Sequence, residues 1–128
     1  MFKKLQYKMT YLKLKHHVKK ALSSKACVRD LISVSSKQRM TGKSVALAKI
    51  SRDYSIPIIK KATEGARELR VYGATQVIGV LPPNINPLRG RRFDLVLIDD
   101  DFTPEELNND ILPALSFCKV VGYISDGK

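Results

Sequence analysis

The chain has 128 residues, of which 44% are hydrophobic and 27% charged, so one compact domain fits and two full-sized domains do not. Lysine and arginine number 23 against 12 aspartate and glutamate residues, which gives a formal net charge of +11. This excess favours a polyanionic partner such as nucleic acid, nucleotide phosphate or an anionic surface. No apolar run reaches the roughly 18 residues that a membrane span requires.

The two cysteines, Cys27 and Cys118, match no metal-binding spacing, and small free thiols are the simplest interpretation. The basic N-terminus lacks the uninterrupted apolar stretch of a secretory signal. We therefore expect a soluble protein in a reducing, cytoplasmic setting.

Residues 1–25 carry eight lysines and no acid, and they are predicted to form a basic amphipathic helix ahead of an α/β domain at 26–128. Apolar residues recur at helical spacing from Phe2 to Leu22, with lysines on the other side. The lysines either bind nucleic acid, dock on a membrane surface, or face water while the apolar stripe packs on the sheet. The nucleic-acid candidates of the whole chain are Lys3, Lys4, Lys8, Lys15, Lys19, Lys20, Arg89, Arg91 and Arg92.

After residue 25, short apolar runs alternate with helical stretches in the order β-α-β-α-β-β-α-β. This order predicts an α/β fold with a mostly parallel sheet of about five strands and helices on both faces. Four consecutive apolar residues before Asp99 indicate a central strand that is covered on both sides. The predicted strands are 31–35, 56–59, 76–81, 94–99 and 119–124, and the predicted helices are 42–54, 64–72 and one capped by Thr103.

A phosphate-binding loop is predicted between the first strand and the first helix of this domain, where the sequence is KQRMTGKS. Such a loop needs N–H groups at a helix N-terminus, a lysine that reaches the β- and γ-phosphates, and a hydroxyl that ligates Mg²⁺. The alternative is an ordinary strand-to-helix turn with an exposed lysine. The candidate nucleotide-binding residues are Lys37, Gln38, Arg39, Met40, Thr41, Gly42, Lys43 and Ser44, of which Ser44 is also a metal candidate.

Two acids, Asp99 and Asp100, directly follow the apolar run of the fourth strand. A carboxylate at the carboxyl end of a central parallel strand lies where ligands bind in open α/β sheets. We take Asp99 as the Mg²⁺ candidate and Asp100 as the base that polarises an attacking water. The alternative is a solvated acidic turn that caps the next helix, a description that suits Asp101.

The motif KQRMTGKS resembles a Walker A motif and LVLIDD resembles a Walker B motif. Residues 31–126 thereby resemble a P-loop NTPase of the additional-strand (helicase and terminase) class, and viral terminases and related phage ATPases fit best. Walker A loops of this group often lack the first glycine, and this chain has Lys37 at that position. They often carry an internal arginine, which corresponds to Arg39 here, and the resemblance implies that Arg39 is catalytic. Asp100 stands where the family usually has glutamate.

The resemblance implies ATP and Mg²⁺ as cofactors, a nucleic-acid partner, and a host cytoplasm if the chain is viral. Family members with motor activity are longer and use further strands and an arginine finger. One interpretation is a minimal ATPase whose site is completed by a second copy or a partner subunit. In that case the arginines of the 89–92 loop could act on the phosphate bound by a neighbouring copy. The other is a non-hydrolysing scaffold that serves as a basic nucleic-acid- or protein-binding module.

Overall fold

The computed structural model describes residues 2–34, 43–61, 73–74 and 76–125. These residues contain one five-stranded sheet, whose strand order is β1-β5-β4-β2-β3 and whose neighbouring strands are all parallel. The prediction of an α/β fold with a parallel sheet of about five strands is confirmed. The strands are β1 (Arg29–Val34), β2 (Ile58–Lys61), β3 (Val77–Val80), β4 (Leu95–Ile98) and β5 (Lys119–Ser125).

Helices cover both faces of the sheet, as the alternating pattern predicts. α1 (Phe2–Ser23) and α2 (Lys43–Tyr54) pack on one face, which we call the α2 face. The opposite face is covered by α3 (Pro104–Glu106), a π-helical turn (Leu107–Ile111) and α4 (Leu112–Ala114). The last three elements follow one another without a break, and we call them the 104–114 segment.

Strand β4 is central and buried along its whole length, as its four apolar residues predict. Side chains alternate between the two faces of a strand. Leu95 and Leu97 accordingly belong to the core under α1 and α2, whereas Val96 and Ile98 belong to the core under the 104–114 segment. The same alternation determines the face of the sheet on which Asp99, the residue after β4, lies.

Most predicted boundaries agree with the structure to within two residues, and β2 shows why they shift. α2 ends at Tyr54, the next residue Ser55 has a φ of 54°, and the N–H of Ile56 donates to the carbonyl of Ser51 at 3.1 Å. Pro57 has no N–H to donate, so the strand begins at Ile58 rather than at residue 56. The predicted helix 64–72 lies outside the described residues.

Helix α1 is confirmed, but its apolar residues do not form one continuous stripe. Leu14 and Val18 are buried against the sheet, whereas Met9 and Leu12 are exposed. At 100° per residue, Met9 and Val18 lie on opposite sides of the helix, so the apolar stripe predicted from Phe2 to Leu22 is not continuous. No helix in the described part of the chain is long and apolar enough to cross a bilayer.

Strands β4 and β5 approach closely at the carboxyl end of β4. Gly122 of β5 pairs with Ile98, the last residue of β4. A Cβ at position 122 would lie 2.1 Å from the carbonyl oxygen of Ile98, so only glycine fits here. Because glycine has no side chain, β5 can pack directly against the backbone of Ile98, the residue before Asp99.

Candidate functional site

The carboxyl edge of the sheet, where the strands end, brings together polar residues from separate strands. Asp99 follows Ile98 of β4, and its N–H donates to the carbonyl of Ile59 at 3.3 Å, which continues the ladder to β2 by one residue. Lys60 of β2 therefore lies beside Asp99. By the same register, Tyr123 of β5 lies beside Asp99 on its other side.

These three side chains share the α2 face. Leu95, Leu97 and Ile58 are in the core under α1 and α2. Since side chains two residues apart in a strand share a face, Asp99 lies on the same face as Leu95 and Leu97, and Lys60 on the same face as Ile58. Tyr123 belongs to that core directly. The result is a row of side chains across the carboxyl edge, in the order Ile32 of β1, Tyr123, Asp99 and Lys60.

The Lys60 ammonium, at one end of this row, contacts two carboxylates. Its Nζ donates to Asp99 Oδ2 at 3.1 Å and to Asp101 Oδ2 at 2.9 Å. The side chain of Asp99 is 3% exposed and that of Lys60 is 11% exposed. The other oxygen of Asp99, Oδ1, accepts the N–H of Asp100 at 2.8 Å. Both oxygens of Asp99 are thus engaged, and the carboxylate has a fixed orientation.

Burial and the surplus of negative charge set the protonation behaviour of this cluster. Burial raises the pKa of Asp99 to about 6, against the attraction of Lys60, and the charges of Asp101 and Asp100 act in the same direction as burial. Burial alone would lower the pKa of Lys60, but the two carboxylates that it contacts outweigh burial and raise this pKa. The balance of burial and neighbouring charge therefore favours the protonated form of Asp99 and the charged form of Lys60.

Tyr123 is the neutral member of the row. It is buried, and burial raises the pKa of its phenol above the ordinary value. The negative charges of Asp99 and Asp100 act in the same direction. The phenol therefore stays protonated beside the carboxylates at neutral pH.

The turn from Asp99 into the 104–114 segment is tied down by a second group of contacts. Thr103 Oγ1 accepts the N–H of Glu106 at 3.1 Å, and Glu106 Oε1 accepts the N–H of Thr103 at 2.9 Å. This capping box confirms the predicted helix start. Lys61 Nζ donates to Glu106 Oε1 at 2.8 Å, and this partner lowers the pKa of Glu106. Asp101, which sequence alone assigns to an acidic cap, is instead a partner of Lys60.

Most of the predicted phosphate-binding loop, from Lys37 to Gly42, lies outside the described residues. Lys43 and Ser44 are the first two residues of α2, and their side chains are likewise not described. β1 ends at the carboxyl edge, and α2 ends at the opposite, amino edge, where Ile56 leads into β2. α2 therefore begins on the same face and at the same edge as Asp99.

Most of the predicted nucleic-acid residues have exposed side chains. Lys15 is partly buried, and the side chains of Lys3 and Lys4 are not described. The remaining candidates are exposed, namely Lys8, Lys19, Lys20, Arg89, Arg91 and Arg92.

Sequence analysis misses Lys60 and Tyr123 as members of the site. Lys60 ends the apolar run IPII, and a lysine in phase with the buried Ile58 is the one signal that marks it as inward-facing. Tyr123 carries no such signal. Both are recognised only through the pairing of β2 and β5 with β4.

The described residues do not form a complete metal site on their own. Within the described ranges, no group of three or more His, Cys, Asp or Glu side chains could hold a metal ion. Mg²⁺ usually takes only one or two carboxylates and keeps several waters, so a single buried carboxylate such as Asp99 suits it. Because Lys60 and the N–H of Asp100 occupy both oxygens of Asp99, contact through a water fits this geometry better than direct ligation.

Comparison of the chain with protein-family models, with curated proteins and with solved structures found no match.

Proposed function

We propose that the protein binds ATP and Mg²⁺ at the carboxyl edge, on the α2 face, and hydrolyses ATP slowly or only when assembled with a further subunit. One observation carries this proposal. The buried carboxylate of Asp99 lies on the same face and edge at which α2 begins, and the sequence at that helix start is Thr41-Gly42-Lys43-Ser44. Helix N-termini at the carboxyl edge of parallel sheets are the usual place for phosphate groups.

The strand order gives independent support. One strand, β5, separates β1, which precedes the proposed phosphate loop, from β4, which ends directly before Asp99. Neighbouring strands are about 4.8 Å apart, so β1 and β4 are separated by about 10 Å. This distance leaves room at the edge for a phosphate chain above β5.

Each residue of the proposed site has a separate task. Lys43 neutralises the β- and γ-phosphates, and the α2 N–H groups bind phosphate oxygens. Ser44 and Asp99 hold the metal, which supplies charge neutralisation on the phosphates. Asp100 orients the water that attacks the γ-phosphate, and Arg39 stabilises negative charge on the transferred group.

Lys60 acts in this proposal as a positioning residue for Asp99. The ammonium and the Asp100 N–H fix both carboxylate oxygens, so the side chain needs no reorganisation when a ligand binds. Asp100 is one methylene shorter than the glutamate of the family, which lengthens its distance to any water. We therefore expect slow turnover rather than loss of nucleotide binding.

Calorimetric titration with ATP and Mg²⁺ tests the nucleotide site. Lys43→Ala should abolish the binding heat, because the residue would be the main cationic partner of the β- and γ-phosphates. Lys49→Ala is the matched control, since Lys49 is an exposed lysine of the same helix and should leave binding unchanged. Binding by Lys43→Ala as tight as that of the parent protein contradicts the assignment.

A second candidate function is that of a non-hydrolysing basic module that binds nucleic acid. It is favoured by the exposed basic side chains that the nucleic-acid prediction names on α1 and in the 89–92 loop. Steep salt dependence of DNA binding, with no ATP binding in the same preparation, would select it. If ATP binds and DNA does not, this second function is excluded.

A further inference from the structure

A cavity of about 450 Å³ lies at the amino edge of the sheet, where the chain enters β4 and β5. Its size is within the range of roughly 300–1,000 Å³ that small-molecule sites occupy. Asp94 lines this cavity and Asp99 belongs to the opposite edge. Asp99 is five residue steps beyond Asp94, which corresponds to about 16 Å at the strand rise per residue. The cavity is therefore separate from the proposed nucleotide site.

An exposed aromatic side chain stands at this cavity. Phe117 is 92% exposed, more than any other large apolar side chain in the described residues. Two turns fix its backbone, because Leu115 N–H donates to the Leu112 carbonyl and Cys118 N–H donates to the Leu115 carbonyl, at 3.0 and 3.1 Å. The phenyl ring projects into water next to a concave surface, where it can stack on a planar ligand.

Two arginines line the same cavity as Phe117. Arg91 and Arg92 line the cavity and are exposed, and no ion pair joins them to a carboxylate within the described part of the chain. Arg29 Nη2 donates to the Leu112 carbonyl at 3.2 Å, which holds a third guanidinium near the same end of the 104–114 segment. Asp94 is the acid that lines the cavity. The surface is net positive, and arginine forks match phosphate oxygens.

From this arrangement we infer that the cavity binds single-stranded nucleic acid, with one base stacked on Phe117 and the flanking phosphates held by Arg91 and Arg92. A single strand offers a free base face next to each phosphate, whereas a duplex hides its base faces. A net charge of +11 favours a polyanion over a neutral protein surface. This inference rests on the nucleic-acid function proposed above and is independent of ATP binding.

The experiment is a fluorescence anisotropy titration with a labelled 12-nucleotide oligothymidylate and with an abasic strand of equal length. Phe117→Ala should weaken binding of the oligothymidylate about tenfold and leave the abasic strand unchanged, because only the former has a base to stack. The double variant Arg91→Gln/Arg92→Gln should weaken both strands. It should also reduce the slope of log affinity against log salt by about 0.7 for each phosphate that the protein no longer neutralises.

Matched controls separate this cavity from general charge and exposure effects. Leu81→Ala truncates an exposed apolar residue at the other edge, and Lys13→Gln/Lys49→Gln removes two exposed charges elsewhere. Both should bind the two strands as the parent protein does. If the parent binds no strand, the nucleic-acid function itself fails. If the parent protein binds oligothymidylate and Phe117→Ala binds it equally tightly, this inference alone is overturned.

Discussion

The two edges of the sheet handle charge in opposite ways. At the carboxyl edge, Asp99 and Lys60 are almost fully buried and contact each other, and Asp101 completes the group. At the amino edge, Arg91 and Arg92 are exposed and no carboxylate among the described residues pairs with them. A strand of four residues, β4, separates the two arrangements.

This difference has an energetic consequence. Removal of one partner from a buried ion pair leaves an uncompensated charge in a medium of low polarity, which costs several kcal/mol. An exposed charge keeps its hydration, so its removal changes stability little. Substitutions of the buried charges at the carboxyl edge should therefore lower the stability of the fold. Substitutions of the exposed charges at the amino edge should affect ligand binding and leave stability nearly unchanged. The following predictions test this contrast.

The largest effect is expected for Lys60→Met, which removes the ammonium and keeps a side chain of similar length. At pH 7 it leaves Asp99 buried without its cationic partner, and we expect the free energy of unfolding to fall by about 3–5 kcal/mol. The loss should be smaller at pH 5, where Asp99 can take up a proton. Urea unfolding followed by circular dichroism at both pH values measures it.

The matched control for this prediction is Lys13→Met, which replaces an exposed lysine of α1 and should change stability by less than about 0.5 kcal/mol. Equal unfolding midpoints for the two variants at pH 7 would show that the Lys60 contacts carry no net stability.

A smaller effect is expected from the titration of Asp99. Its pKa is raised from 3.8 to about 6 in the folded protein, so the folded state binds this proton more tightly than the unfolded chain does. The contribution of Asp99 to stability is therefore highest below about pH 4 and is lost as pH rises to about 6. A shift of this size corresponds to up to about 3 kcal/mol.

Asp99→Asn isolates this effect, because the variant lacks the titrating group and shares every other one. The stability of the parent protein relative to Asp99→Asn should fall between pH 4 and pH 6 and stay level above that range. Urea unfolding at intervals of half a pH unit gives the difference. A difference that rises over this interval would mean that attraction by Lys60 outweighs burial.

The fold is largely predictable from the sequence because its signals are local. The apolar run of β4 predicts burial on both faces, and Thr103 with Glu106 predicts the helix start. Local sequence signals do not predict which face of α1 packs on the sheet. Leu12 and Leu14 lie on different sides of the helix, and each has apolar residues at helical spacing from it, so only packing on the sheet decides that Leu14 is buried and Leu12 exposed.

The candidate site is predictable only in part, because its chemistry depends on contacts between distant residues. Asp99 stands out in sequence because two acids follow an apolar strand. Its partner Lys60 is 39 residues away, and their contact depends on the order of strands in the sheet. Strand order is a tertiary property, because it depends on which strands pair, and the pairing of β2 with β4 is not encoded by any short segment of sequence. The exposure of Phe117 is likewise seen only in the structure.

The smallest effect on stability is expected for the double variant Arg91→Gln/Arg92→Gln at the amino edge. Both side chains are exposed, and glutamine keeps a polar, solvated group at each position. The free energy of unfolding should therefore change by less than about 0.5 kcal/mol, in the same urea experiment that reports several kcal/mol for Lys60→Met. If the double variant loses about 2 kcal/mol or more, these arginines hold the fold together as Lys60 does, and the proposed separation of stability and binding between the two edges is wrong.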